Sequence, residues 1–238
     1  MRRRTSLVTA ALTALLAAGC GITDEGARPG VAVEVDGQTL PLSQVDQAVE
    51  DYCTLLATHE DEQPVPTSAV RAGVARDWAR AVAVDEIAPE YDVDVPSAEI
   101  ERSFVERSWS MLGEVTDDNY ETFEWITWIQ LRLSDPLLAI GQKAILEETG
   151  QPAASLDDAQ VRGYDIVHEW LDEHDWVVNP ALGELDEETG AITGDVLSVP
   201  VSGEARGRDD VRDVTPEQLA ELPAGQRCGP AVQAQPGA

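Results

Sequence analysis

The residues that could carry chemistry in this 238-residue chain are its histidines, its cysteines and its abundant carboxylates. The glycine-rich motifs of phosphate or dinucleotide binding and the GxSxG motif of hydrolases do not occur in the sequence. His168 and Asp172 would share a helical face, but two ligands do not make a zinc site. The acidic run at residues 186–188 lacks the alternating ligands of a calcium loop. We therefore predict that the protein is not an enzyme and that it has no catalytic residue, metal or cofactor.

The first of the three cysteines, Cys20, ends a segment that is typical of an export signal. Arginines at residues 2–4 precede an apolar run at residues 7–18 that is too short to span a membrane comfortably. The ending LLAAGC resembles a bacterial lipobox, which would make Cys20 the lipidated first residue of the mature protein. We predict a signal peptide over residues 1–19 and a lipid anchor such as palmitate, which holds the protein at the extracytoplasmic face of the cell membrane. An ordinary secretory signal with a free cysteine is the alternative, and the Sec and twin-arginine routes both stay open.

Export would place the other two cysteines, Cys53 and Cys228, in a compartment where disulfides persist. Because exactly two remain once Cys20 carries lipid, we predict that they are paired. The bridge would tie the predicted first helix to the C-terminal tail, and in the chain-entropy model so long a loop contributes about 5 kcal/mol. Two separate thiols are the alternative.

The charge balance is strongly acidic, with a formal net charge of −29, and Lys143 is the only lysine. Such a chain repels phosphates, so nucleic acid is excluded as a partner, whereas basic or apolar partners are favoured. The hydrophobic content of 43% predicts that most of the chain folds around a core.

The order of predicted elements is a strand, about six helices, and then strands. The segment VAVEV at residues 31–35 alternates as a strand does and meets a tight Asp36-Gly37 turn. Capping signals at Ser43, at Thr67 or Ser68, and at Ser155 predict helix starts, with stops at Gly113 and Gly150. The predicted later elements are strands at residues 175–179 and 196–201, a turn-rich connection at 184–190 and a short helix from 215 to 222.

The segment at residues 119–133, NYETFEWITWIQLRL, is apolar around most of a helical circumference. A helix of this kind is usually buried among other elements, so we predict that it is the central helix of the fold. Glu121, Glu124 and Arg132 would form its narrow polar side, with Trp128 among them.

Four segments, taken in their order, resemble the chaperone module of the SurA and PrsA type of extracytoplasmic foldases. They are VAVEVDGQTLPLSQVD at residues 31–46, VPSAEIE at 95–101, WLDEH at 170–174 and VVNPALGELD at 177–186. The resemblance covers residues 31–201 and implies a mainly α fold with a small β element, in which N-terminal and C-terminal strands come together. Residues 20–30 would be a flexible tether, and residues 202–238 a charged linker, a short helix and a tail pinned at Cys228.

The chain departs from this family where the family inserts a parvulin prolyl-isomerase domain, because only residues 150–154 separate the two helices there. Leu182 also replaces an aromatic residue of the family pattern, and Leu185 replaces a tryptophan. The resemblance therefore implies a membrane-anchored chaperone-like protein that binds unfolded or assembling exported proteins without prolyl isomerase activity.

Four tryptophans are the candidate lining of a peptide-binding groove, and packing in the core is the alternative for each of them. They are Trp78, Trp109, Trp125 and Trp128. Two other functions stay open: an envelope scaffold lipoprotein with one specific protein partner, and an enzyme with residual prolyl isomerase activity.

Overall fold

The computed structural model describes residues 28–59, 63–186, 191–193, 219 and 222–230. This part of the chain is mainly helical with small β-sheets, as predicted. The helices are α1 (Leu42–Leu56), α2 (Thr67–Ile87), α3 (Arg102–Trp109), α4 (Tyr120–Arg132), α5 (Asp135–Thr149) and α6 (Leu156–Glu173). The strands are β1 (Val31–Val35), β2 (Gln38–Pro41), β3 (Val65–Pro66), β4 (Trp176–Val178), β5 (Glu184–Asp186), β6 (Ala191–Thr193) and β7 (Arg227–Cys228).

The main sheet brings together segments from distant parts of the chain. β1 and β2 form the predicted hairpin, and Asp36 and Gly37 turn it with φ angles of 45° and 78°. On its other edge β1 pairs antiparallel with β4, with Val33 opposite Val178 and Val35 opposite Trp176. The first strand therefore meets the strand that follows α6. The strand predicted at residues 196–201 and the short helix predicted from residue 215 to 222 lie outside the described residues, except for Leu219 and Leu222.

The central helix of the fold is α2, so the prediction that residues 119–133 occupy this place is wrong. α2 packs against α1, α4, α6 and β1. Its small side chains let these neighbours approach from several sides, whereas α4 has exposed positions on opposite sides, at Glu121 and Gln130. The buried residues of α2 are Ala72, Ala75, Trp78, Ala79, Ala81, Val82, Ala83, Val84 and Ile87.

Arg132 does not lie on a polar surface of α4 as predicted but is buried, with 5% of its side chain exposed. Its Nε donates to both carboxylate oxygens of Asp85 on α2 at 2.8 Å. Its guanidinium carbon lies 4.0 Å from the centroid of the Trp128 ring. The pairing explains why a charge is tolerated inside the fold, since removal of either partner would leave the other without its compensation.

α5 and α6 form a helical hairpin in which the two backbones touch. A Cβ atom placed on Gly141 would lie 1.8 Å from the carbonyl oxygen of Ala159, and one on Gly163 would lie 2.4 Å from that of Leu137. The predicted signals at the turn are confirmed: Gly150 has φ 70°, and the Ser155 side chain accepts a hydrogen bond from the Asp158 amide.

Other predicted helix ends differ from the structure. α1 begins directly after Pro41 and α2 directly after Pro66, and neither has a side-chain cap, so Ser43, Thr67 and Ser68 do not cap these helices. Each proline ends a strand with extended backbone angles, which lets the strand pass straight into the helix. α3 ends at Trp109, before the predicted Gly113 stop, and the following Met111 is 87% exposed.

The C-terminal segment at residues 222–230 returns to α1. A disulfide joins Cys53 on α1 to Cys228, the pair predicted from the sequence. β7 also pairs antiparallel with β3, with Val65 opposite Cys228. The Cys228 side chain is fully buried, and a 3-10 turn at Ala224–Gln226 precedes it.

Candidate peptide-binding clefts

Two of the four tryptophans predicted to line a groove are core residues. Trp78 is 7% exposed and belongs to the large core around α2. Trp109 is 5% exposed and belongs to a second core, where its ring centroid lies 4.7 Å from that of Phe123. Its Nε1 donates to the Thr127 hydroxyl at 2.9 Å, which satisfies the indole inside the protein. Because both side chains are buried, they present no surface on which a polypeptide could lie.

The other two tryptophans are half-buried on α4. Trp125 packs against both hydrophobic cores, and Trp128 packs against the large core with its ring beneath Arg132. Neither residue lines the two clefts that the structure forms beside α5. Trp78 and Trp109 therefore pack in the core, whereas Trp125 and Trp128 are partly exposed and lie outside both clefts.

The first cleft, which we call the acidic cleft, lies between the loop that follows α2 and the N-terminal half of α5. Its volume is about 510 Å³. Its walls combine apolar side chains with carboxylates and one amine. The lining residues are Asp92, Val93, Asp94, Val95, Pro96, Asp135, Pro136, Ala139 and Lys143.

The second cleft, which we call the apolar cleft, lies between the C-terminal half of α5 and the turn that leads into α6. Its volume is about 570 Å³. Leu146 and Leu156, both among its lining residues, are 49% and 65% exposed and lie close enough to belong to one apolar surface. The lining residues are Gln142, Lys143, Leu146, Pro152, Ala153, Ala154, Ser155 and Leu156.

Lys143 lines both clefts, so the two are neighbours on one side of α5. Its Nζ donates to the backbone carbonyl of Tyr91 at 2.7 Å and to that of Asp92, and it lies 3.9 Å from the Asp92 carboxylate. These contacts hold the loop after α2 against α5 and so fix the width of the acidic cleft. Beside them, burial raises the pKa of the Tyr91 phenol, with a further contribution from nearby glutamates.

The charges of the two clefts differ. The carboxylates of Asp94 and Asp135 are exposed, and among the described residues they have no hydrogen-bond or ion-pair partner. Among the described residues that line the apolar cleft, Lys143 alone is ionisable, and its ammonium is directed to the loop carbonyls. The lining of the acidic cleft therefore has an excess of negative charge, whereas the lining of the apolar cleft has a single charge, that of Lys143.

The sequence did not single out these clefts. Leu146 lies off the buried stripe of α5 that Leu137, Ile140 and Ala144 form, and Leu156 simply follows the capping Ser155. The available signal was the apolar composition of the turn, Pro152-Ala153-Ala154, next to a leucine on each side. A short turn between two helices is usually polar, so these apolar residues could have indicated a functional surface.

Within the described residues there is no group of three or more histidine, cysteine or acidic side chains placed to hold a metal ion. Among the same residues, no helix is long and apolar enough to cross a membrane. Cys20 and the predicted signal peptide lie outside the part of the chain that the structure describes.

Comparison with known proteins finds no protein-family model that matches the chain. No curated protein and no solved structure is significantly similar to it.

Proposed function

We propose that the protein is exported, lipid-anchored through Cys20, and binds unfolded or assembling polypeptides as a chaperone does, without prolyl isomerase activity. The observation that supports this function best is the pair of adjacent clefts beside α5, with two exposed leucines in one of them. Each volume lies in the range of known ligand pockets, about 300–1,000 Å³, and accommodates a few side chains of a bound chain.

The apolar cleft exposes two leucines on a strongly acidic chain. Leu146 and Leu156 are on opposite sides of the α5–α6 turn, and Pro152, Ala153 and Ala154 lie between them. A surface that binds many unfolded chains needs such apolar contacts without a deep, shape-specific pocket, and the surrounding charge keeps the protein soluble. The net charge of −29 supplies that solubility.

The disulfide supports the extracytoplasmic part of the proposal. Disulfides such as the one between Cys53 and Cys228 persist in oxidising compartments and are rare in cytoplasmic proteins. Location is tested by cell fractionation: the wild type should be found with membranes, and Cys20→Ser should be released from them. Equal membrane association of both proteins would contradict a lipid anchor on Cys20.

Chaperone activity is tested with the soluble mature protein, residues 21–238, in an aggregation assay with a model unfolded protein. At equimolar ratio we expect the wild type to delay aggregation, and Leu146→Glu/Leu156→Glu to lose most of this delay. The carboxylates would put charge in the apolar cleft and so weaken contact with apolar chains.

Val161→Glu is the matched control, because Val161 is on α6, is 60% exposed and lies outside both clefts. It should retain the activity, and all variants should unfold at similar urea concentrations. Equal activity of the double leucine variant and the wild type would contradict the assignment of the clefts. If the wild type delays nothing, and a single dominant partner is captured from membranes, the protein is instead a scaffold for that partner.

A further inference from the structure

The two clefts have different chemistry, and this difference indicates which polypeptides they accept. We propose that the bound chain carries a basic side chain close to apolar ones, with the lysine or arginine in the acidic cleft and an apolar side chain in the apolar cleft. This inference rests on the proposed function and adds the chemical class of the bound segment.

The lining of the acidic cleft suits the chemistry of a long basic side chain. Val93, Val95, Pro96, Pro136 and Ala139 supply apolar wall, and the exposed carboxylates stand among them. Lysine and arginine side chains have an aliphatic stem and a charged end, and they commonly bury the stem along apolar surface while the charge stays near water or a counterion. A neutral apolar side chain would fill the walls but leave the carboxylates without a partner.

The charge of the acidic cleft is compensated only in part, by Lys143 and by the N-terminus of α5 beside Asp135. Asp92 lies 3.9 Å from Lys143, but Asp94 and Asp135 have no partner among the described residues. The Lys143 ammonium donates instead to the carbonyl oxygens of Tyr91 and Asp92, at the edge of the cleft. Three carboxylates and one ammonium leave an excess of two negative charges, which a cationic side chain would reduce and an anionic one would increase.

The apolar cleft determines which side chain the bound polypeptide carries beside its basic residue. Its side chains other than Lys143 are uncharged, and Leu146 and Leu156 offer it the largest apolar surface. Since Lys143 lines both clefts, one extended chain can contact both. A uniformly acidic or uniformly polar segment has no favourable place in this arrangement.

The net negative charge of the protein also attracts basic peptides over a long range. The experiment must therefore distinguish this general attraction from binding in the cleft. Asp94→Asn/Asp135→Asn removes two charges from the cleft. Asp118→Asn/Glu121→Gln removes two other exposed charges, one just before α4 and one in its first turn. α4 has 13 residues, which places this control about 20 Å along the helix from the end near Asp135.

Binding is measured by fluorescence anisotropy in 150 mM salt with three labelled peptides of equal length and equal leucine content. They differ at two positions, which are arginine, glutamine or glutamate. We expect the arginine peptide to bind about tenfold more tightly than the glutamine peptide, in line with a few-fold gain for each exposed pair. The glutamate peptide should bind most weakly. The cleft variant should lose most of the arginine preference, and the control variant should change it less than twofold.

Three results would overturn the inference. Equal affinity for the arginine and glutamine peptides would remove the basic preference while the proposed function stands. Equal losses in the cleft and control variants would assign the preference to the overall field and not to this site. Absence of binding to all three peptides, together with a dimer that Leu156→Glu dissociates in sedimentation, would show that a second copy of the chain occupies the apolar cleft and would also contradict the proposed function.

Discussion

The C-terminal segment at residues 222–230 and the α5–α6 hairpin are held to the rest of the molecule by different means. The segment contains a 3-10 turn and a two-residue strand, and a disulfide from Cys228 fastens it to α1. The hairpin has no covalent link, and its helices touch directly at Gly141 and Gly163.

The difference follows from the apolar surface that each region can bury. A short strand such as β7 forms few hydrogen bonds and buries little, so it does not offset the entropy of ordering its own backbone. Two long helices bury a continuous apolar strip, and glycines at their crossing let this strip close tightly. A covalent bond is therefore needed for the C-terminal segment and is unnecessary for the hairpin.

The largest effect should come from removal of the covalent link. Cys53→Ser/Cys228→Ser opens a loop with a sequence separation of 175 residues. We expect the free energy of unfolding to fall by about 5 kcal/mol, because the unfolded chain gains conformational entropy. Urea unfolding monitored by circular dichroism measures this change.

Hydrogen exchange adds a local measurement on the same double variant. The amides of β7 and the Val65 amide of β3 should exchange through local opening, faster than the loss of global stability explains. The amides at the α5–α6 contact should exchange only through global unfolding. If both regions lose the same protection through the same opening, the two modes of attachment are not independent.

The next effect concerns the contact between α5 and α6. Gly141→Ala and Gly163→Ala each insert a Cβ within 2.4 Å of a backbone oxygen of the other helix, so the helices must separate. We expect each variant to lose about 3 kcal/mol of unfolding free energy in urea titration.

Gly73→Ala is the matched control for these two substitutions, since it lies within α2 and its added Cβ would meet nothing within 4 Å. There alanine should stabilise the protein by about 0.5–1 kcal/mol, because it restricts the unfolded chain and favours the helix. A loss at Gly73 equal to that at Gly141 would mean that close approach is not the cause.

The smallest effect tests the turn of the hairpin. In Ser155→Ala the Asp158 amide loses its side-chain acceptor, and the free energy of unfolding should fall by about 1 kcal/mol. Ser134→Ala is the control: Ser134 also precedes a helix, but its exposed hydroxyl makes no capping bond and donates only to the Leu131 carbonyl at 3.1 Å, so a smaller change in unfolding free energy is expected. Thermal unfolding of the two variants side by side would reveal the difference, and equal melting temperatures would argue against a capping role for Ser155.

Features that depend on neighbouring residues were predictable from the sequence. Asp36 and Gly37 form the expected turn, Gly150 ends α5 and Ser155 caps α6. The Cys53–Cys228 pair followed from the predicted export signal and from the small number of cysteines. The N-caps predicted for α1 and α2 were wrong because strands that end in Pro41 and Pro66 lead directly into these helices.

The candidate site was harder to predict from the sequence, because a tryptophan, leucine or valine is equally consistent with burial in the core and with a binding surface. Trp78 and Trp109 are enclosed by residues from distant parts of the chain, and Leu146 and Leu156 are not. Which of these apolar residues meets a neighbour depends on where other elements arrive. Helical periodicity gives the direction of a side chain on its own helix and does not give the presence of a partner.

The sequence by itself determined the mainly helical character, the hairpin turns and the pairing of two cysteines, because each depends on local backbone preference or on residue identity. Tertiary structure alone decided that α2 is the central helix, that Arg132 is buried against Asp85, and that two clefts open beside Lys143. These features arise from the packing of segments far apart in the chain, and the burial of a residue is a property of that packing rather than of its immediate neighbours.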